Sequence, residues 1–362
     1  MAEIDKYLKL MVEHKTSDLH LCTACKPMYR KDGAIVPLRS EAPVTPERME
    51  QLLFEIAPPD KLEEFKRCND TDFAYELPGC GRFRVNYFRD HKGIGGVFRL
   101  IPSEVVTFEE LKLPPVLKKF CELPKGLVLV TGPTGCGKST TLAAMIDHIN
   151  KTRSEYIITI EDPIEFVHQN QHCLINQRQV HHHTASFKAA LRAALREDPD
   201  IVLVGEMRDL ETTHIAIETA ETGHLVFGTL HTTTAISTVD RLIDQFPSEQ
   251  QQQIRTMLAA ALKGIVAQIL LKKKGGGRVA AFEVLVVTPA VASLIRDAKT
   301  SQIMSIMQTA KKEGMTLINE ELARLVKEDL VEAEEAYHKA ADKEGFVKFL
   351  ESAGITYKHA GE

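Results

Sequence analysis

The sequence predicts an α/β protein in two parts, a smaller α+β domain followed by a larger domain built on a parallel β-sheet. Three observations carry that prediction. Four near-continuous apolar runs, Gly126–Thr131, Tyr156–Glu161, 201–206 and 224–230, read as strands buried on both faces. Segments with helical apolar spacing lie between them, and a glycine-rich turn joins the first run to one such helix. Ahead of all this, residues 1 to about 100 mix α and β patterns.

Length and composition agree. A chain of 362 residues has room for roughly two domains of about 150 residues. Its 44% apolar content fills full cores, and a net charge of −5 argues against a general coating of polyanions. No apolar stretch approaches the roughly 20 residues that span a bilayer. The opening MAEIDKYLKL scatters charge where a secretory signal would be apolar. Seven cysteines, an odd number and thinly spread, suit reduced thiols in a cytosol. Secreted, membrane-spanning, disordered and collagen-like readings are thereby excluded.

Taken in order, residues 82–89 alternate apolar Phe83, Val85 and Tyr87 with polar Arg82, Arg84 and Asn86, as a half-buried strand does. Residues 78–81 read as the turn before it, and Gly93, Gly95 and Gly96 as the connection after it. Pro102, Pro114 and Pro115 mark 101–115 as a linker. This divides the chain into 1–100, the linker, a core over 116–288 and a helical region over 289–362. Within the core, Phe187, Ala190, Leu191, Ala194 and Leu195 form one helical stripe. Ser248 with Gln251 gives a capping-box pattern before the stripe Ile254, Met257, Leu258, Ala261, Leu262, Ile265. Residues 272–278 form a basic, glycine-rich loop between two apolar strands. Past 289, Leu294, Ile318, Leu322 and Leu325 are the expected core positions.

The glycine-rich turn carries the chemistry. Gly132, Pro133, Thr134, Gly135, Cys136, Gly137, Lys138 and Ser139 match G-x-x-x-x-G-K-[ST] in full, after a strand and before a helix expected over about 139–150. Glycines let such a loop wrap phosphates with its N–H groups, and the helix N-terminus adds positive potential. Lys138 then reaches the β and γ phosphates of ATP, Ser139 offers its hydroxyl to Mg²⁺, and Thr140 lies beside it.

Two more strand ends supply acids. The run 201–206 ends in Glu206, where a P-loop enzyme holds its Mg²⁺, and Gly205 lets the backbone pass close by. After Tyr156–Glu161 come Asp162 and Glu165, so three carboxylates fall within five residues, and one of them could polarise an attacking water. His224 and His231 flank the run 224–230 and could sense the γ-phosphate or link it to a neighbour.

The loop, IEDPIEF (160–166), LVGEMRD (203–209) and TGHLVFGTLHT (222–232) occur in this order and spacing. They resemble the Walker A, Asp box, Walker B and His box of the secretion ATPases that power type IV pili and type II secretion. SDLHL (17–21), GRFRVNYFR (81–89) and LREDPD (195–200) extend the resemblance over nearly the whole chain. Within that superfamily the chain most resembles the pilus retraction (PilT) family. Extension and secretion members are longer and usually carry a four-cysteine zinc element, whereas no cysteine follows Cys173 here. Residues 290–296, AVASLIR, resemble a retraction motif but have Ala292 and Ser293 where Arg and Asn are expected, which leaves an accessory retraction paralogue open.

The resemblance implies a RecA-like ATPase core behind a PAS-like domain, with a helical C-terminal extension. It makes Glu165 the catalytic base, gives Glu206 to Mg²⁺, and has His224 and His231 couple nucleotide to domain motion. It nominates Arg82, Arg84 and Arg89 to approach the γ-phosphate. It further implies a homo-hexamer at the cytoplasmic face of the inner membrane, acting on a PilC-like platform protein and not on nucleic acid. Two other readings stay open on the residues alone, an ATP-binding regulatory subunit and a nucleic-acid translocase. Cys22 and Cys25 read as packed thiols, His181, His182 and His183 as a surface loop, and Lys272–Lys274 as a solvated hairpin tip.

Overall fold

The computed structural model describes residues 2–31, 34–101 and 105–357, and the chain divides into two compact units, Met1–Glu104 and Val105–Glu362. The first unit holds strands β1 (Asp18–Cys22), β2 (Met28–Lys31), β3 (Ala34–Pro37), β4 (Asp70–Leu77), β5 (Gly81–Asp90) and β6 (Gly93–Ile101). They form one antiparallel sheet in the order β3-β2-β1-β6-β5-β4. The alternation along β5 buries Phe83, Val85 and Tyr87, which share a core with Leu8 and Met11, Leu52 and Leu53, and Phe65 from three helices. The turn at 78–81 forms as expected, pairing Leu77 with Gly81. Gly93, Gly95 and Gly96 do not form a connection; they lie inside β6, paired with Asp90, Phe88 and Tyr87. A Cβ on Gly95 would sit 2.5 Å from the Phe88 ring and 2.8 Å from the Leu21 carbonyl, so glycine here is a packing requirement of the sheet.

The expected linker is divided. Ile101 closes β6, Pro102 lies outside the described residues, and from Val105 onward the chain packs into the second unit. Phe108 and Leu113 are buried there beside Val116, Leu117 and Phe120.

The second unit is a seven-stranded sheet of β7 (Gly126–Thr131), β8 (Tyr156–Glu161), β9 (Leu174–Gln179), β10 (Ile201–Val204), β11 (Leu225–Leu230), β12 (Leu262–Lys272) and β13 (Arg278–Val286). The order is β13-β12-β7-β11-β10-β8-β9, parallel throughout except for the final β12–β13 pair. Every residue of β7, β10 and β11 is buried, as the continuous apolar runs require. Two hydrophobic cores share these strands by residue parity, one taking Leu127 and Leu129 and the other Val128 and Val130.

Several boundaries differ from expectation for identifiable reasons. The helix after the glycine-rich loop starts one residue early and runs Lys138–Thr152. Leu195 falls just past the helix Phe187–Ala194 and is exposed, so the stripe ends at Ala194. The helix Ser248–Ala261 has Pro247 at its N-cap and no side-chain cap; Gln251 Nε2 instead donates to the Phe246 carbonyl. Leu262 and Ile265 are not helical, because the chain turns extended at Leu262 to pair with β7, setting Ile265 opposite Leu129. Residues 272–278 are the tip of the β12–β13 hairpin. Beyond it, Ile318, Leu322 and Leu325 pack with Phe346 and Leu350 against Leu271 and Ala281, while Leu294 is partly buried in another core. Residues 358–362 of the expected helical region lie outside the described residues. No helix among the described residues is long and apolar enough to cross a membrane.

Gly264 marks the irregularity in the β12–β7 register, and a Cβ there would meet the Phe120 ring at 2.2 Å. Gly264→Ala is expected to cost about 1–3 kcal/mol by overpacking, lowering the thermal midpoint by roughly 2–4 °C per kcal/mol. Phe120→Leu in the same chain should recover part of the loss. Equal melting of Gly264→Ala and the parent would show that the contact carries no strain.

Candidate active site

Parallel strands end together, and ligand sites in such sheets lie outside their carboxyl ends. Here β7 ends at the glycine-rich loop, β8 at Glu161, β10 just before Glu206 and β11 just before His231. A cavity of about 470 Å³ lies between these ends.

Of the loop residues, Thr134, Gly135, Gly137, Lys138, Ser139 and Thr140 line the cavity. Gly132, Pro133 and Cys136 do not; Cys136 is buried, and loss of solvent pushes its thiol up. Gly137 caps the following helix with φ of 93°, a left-handed conformation that favours glycine. Gly132 is required for space as well, since a Cβ would lie 2.3 Å from the Gln268 carbonyl. Lys138 Nζ donates to the Gly132 carbonyl at 2.8 Å and the Pro133 carbonyl at 3.3 Å.

The acids occupy three distinct settings. Glu206 is the best defined. His231 Nε2 lies 2.8 Å from its Oε1, and Arg208 Nε reaches the same oxygen at 2.5 Å. Burial works against the Glu206 charge, but the hydrogen bonds and charges of Arg208 and His231 outweigh it and hold the carboxyl below its ordinary value. Glu161 goes the other way: burial raises it, although Thr159 Oγ1 donates at 2.6 Å, Gln177 Nε2 at 3.2 Å and the Glu165 backbone N–H also bonds to it. Glu165 lines the cavity and is exposed, so a small molecule there meets its carboxylate directly. Gly205 has its N–H on the Ile160 carbonyl at 2.8 Å, and a Cβ would approach that oxygen to 3.0 Å, so its close passage is to β8.

His224 is not part of this site. It sits at the far end of β11 from His231, seven residues or roughly 23 Å along a strand, with its Nδ1 3.1 Å from the Thr219 carbonyl. The three nominated arginines belong to the first unit and divide by parity along β5. Arg82 and Arg84 lie opposite the buried Phe83 and Val85, with Arg84 Nε 3.8 Å from Asp72 and in register with Arg99. Arg89 falls on the core side, its Nε 2.9 Å from Asn69 and its guanidinium 5.9 Å from the Phe65 ring. Arg82 and Arg84 thus share one face of β5 and Arg89 the other.

The family described as Type II/IV secretion system protein matches residues 2–338. The chain belongs to that family. It is 49% identical to the type IV pilus retraction ATPase PilT of Pseudomonas aeruginosa, over 95% of this chain and all of that one. It is also 49% identical to a twitching motility protein of Neisseria gonorrhoeae, over 88% of this chain and 86% of that one. A crystal structure of the pilus retraction motor PilT with bound ADP superposes with a TM-score of 0.90 at 44% identity, covering 95% of this chain and 98% of that one. The resemblance to the PilT family and the α/β class expected from the motifs stand on these matches.

The fold of this family brings in residues that motif reading left unassigned. Arg208 and Phe187 line the cavity, as do Leu270 and Arg278 from the β12–β13 hairpin. Arg278 lies in the basic loop of the sequence, and as the first residue of β13 it lines the cavity, a placement that no sequence signal marks. Gln268, fully buried on β12, hydrogen-bonds the loop from behind.

The Glu206 cluster has a pH signature. A carboxyl held below its ordinary value of 4.5 adds stability that is full above that pH and is lost as pH falls through the lower folded value. The difference in unfolding midpoint between the parent and Glu206→Gln is therefore expected to grow as pH rises from about 3 to 6. A difference that stays flat over this range would mean the Arg208 and His231 contacts do not form in solution.

Proposed function

We propose that this chain is the ATPase motor of type IV pilus retraction, hydrolysing ATP to drive pilin disassembly and twitching. The observation that carries the reading is the cavity itself, where a phosphate loop faces Glu165 and Glu206 from neighbouring parallel strands. Lys138 exchanges its loop carbonyls for the β and γ phosphate oxygens, and the N–H groups at the helix N-terminus point the same way. Glu165 takes a proton from the attacking water as its oxygen bonds the γ-phosphorus, and the bond to the bridging oxygen breaks to leave ADP. Arg278 and Arg208 supply positive charge at the rim.

The Ser139 hydroxyl and the Glu206 carboxylate are hard oxygen donors on the same cavity, which suits Mg²⁺, an ion that uses one or two protein ligands beside phosphate and water. Among the described residues no group of three or more His, Cys, Asp or Glu is arranged to hold a metal alone. When bound, Mg²⁺ would neutralise charge on the phosphate oxygens. His231, 2.8 Å from Glu206, links that carboxylate to the loop after β11.

In keeping with the family, six copies form a ring at the cytoplasmic face of the inner membrane. Arginines Arg82, Arg84 and Arg89 from the PAS-like domain of the same or a neighbouring copy approach the γ-phosphate, and domain motion is passed to the platform protein. Extension and accessory roles are disfavoured by the higher identity, 49%, to retraction and twitching proteins.

Lys138→Ala is expected to abolish ATP turnover. Glu165→Gln should still bind ATP while kcat falls about 10²–10⁴-fold, the usual worth of a positioned base; turnover at the parental rate would reassign the base. In cells lacking the gene, many surface pili without twitching are expected. Few or no pili would instead indicate an extension motor, and an unchanged phenotype an accessory paralogue.

A further inference from the structure

Resting on the nucleotide-binding reading of the cavity, we propose that Gln268 is a positioning residue that sets the ligand-ready shape of the phosphate loop. Gln268 does not line the cavity and is 1% exposed. It follows Ala267, which is paired with Thr131 at the very end of β7, so it stands beside the point where strand becomes loop. Its Nε2 donates to the Cys136 carbonyl at 2.6 Å, and its Oε1 accepts from Thr141 Oγ1 at 2.8 Å. Its own backbone carbonyl fills the space that only glycine leaves at position 132. One residue thus touches the loop at its entry, at its crest and in the first turn of the helix beyond.

The contact at the crest has a direct consequence. In a planar trans peptide the carbonyl and the following N–H point in opposite directions. Holding the Cys136 carbonyl toward Gln268 turns the Gly137 N–H away from it, toward the cavity that Gly137 lines. A phosphate nest works only when successive N–H groups converge on the anion. The side chain of Gln268 therefore acts on nucleotide through the orientation of one peptide plane. A buried glutamine that merely braces a core would affect melting and leave nucleotide affinity alone.

The test measures binding of a fluorescent ADP analogue to the full chain, together with KM and kcat for ATP and the thermal midpoint. Gln268→Met keeps length and burial but cannot hydrogen-bond. It is expected to weaken ADP binding and raise KM about tenfold, with kcat at saturation within threefold of the parent. Thr141→Val, which spares the Cys136 contact, should bind ADP within twofold of the parent. If Gln268→Met does not fold, Gln268→Asn, whose uncharged amide is drawn back from the Cys136 carbonyl by one carbon–carbon bond, is measured instead. A comparable loss of ADP affinity supports orientation, and affinity within twofold of the parent overturns the proposal. ADP affinity within twofold of the parent in Gln268→Met, a fall in kcat at unchanged KM, or an equal loss in Thr141→Val overturns it as well. Failure of the parent to bind ADP would instead overturn the reading of the cavity.

Discussion

A parallel strand delivers its chain to one edge only, and in the larger unit β7, β8, β10 and β11 pair in register and end there together. The phosphate loop, the Asp-box acids, Glu206 and His231 all sit in the first few residues past those ends. None of the four is near another in sequence. What joins them is the pairing of Val204 with Ile160 and Gly228, and of Leu230 with Thr131. A register slip would turn every side chain of the strand to the other face and displace the loop it feeds. The continuous apolar burial of β7, β10 and β11 is accordingly the constraint on which the site depends.

Charge within this unit is arranged in the same economical way. Glu206 keeps its charge because Arg208 and His231 face it, while the deeply buried Glu283 has no cation partner among the described residues. Burial raises Glu283, and the backbone N–H groups of Ala235 at 2.7 Å and Ile318 at 3.4 Å offset part of that cost. Those two N–H groups begin different helices, Ala235–Asp244 just after the His231 loop and Ile318–Lys327 in the C-terminal region. One carboxylate on β13 thereby ties the chain leaving the active site to the helices that close the fold.

Features encoded locally were legible in the sequence. The phosphate loop, the strands before it and the acids after β8 and β10 rest on spacing within a dozen residues, and they form where expected. Features that depend on a distant partner were not. Leu262 and Ile265 continue a helical stripe on paper, yet pairing with β7 wins over helical periodicity. Gly93, Gly95 and Gly96 have the composition of a turn, but the Phe88 ring and the Leu21 carbonyl need them in a strand. His224 looked equivalent to His231 because both flank one strand, and strand direction alone separates them. Arg278 and Gln268 enter the site across the β12–β13 and β12–β7 pairings, which no motif announces.

The β12–β13 hairpin is where these non-local contacts meet. One strand carries Gln268 against the phosphate loop and Leu270 into the cavity; the other begins with Arg278 at the cavity and reaches Glu283 five pairs further along. Leu271 and Ala281, on the same two strands, form the floor of the C-terminal helical core. A strand pair is stiff along its length, because each cross-strand bond must break before its neighbour can shear. The C-terminal helical core therefore rests on the same strand pair that braces the loop and brings Arg278 to the cavity. The antiparallel edge of an otherwise parallel sheet thus joins the phosphate loop and the C-terminal helices within one strand pair.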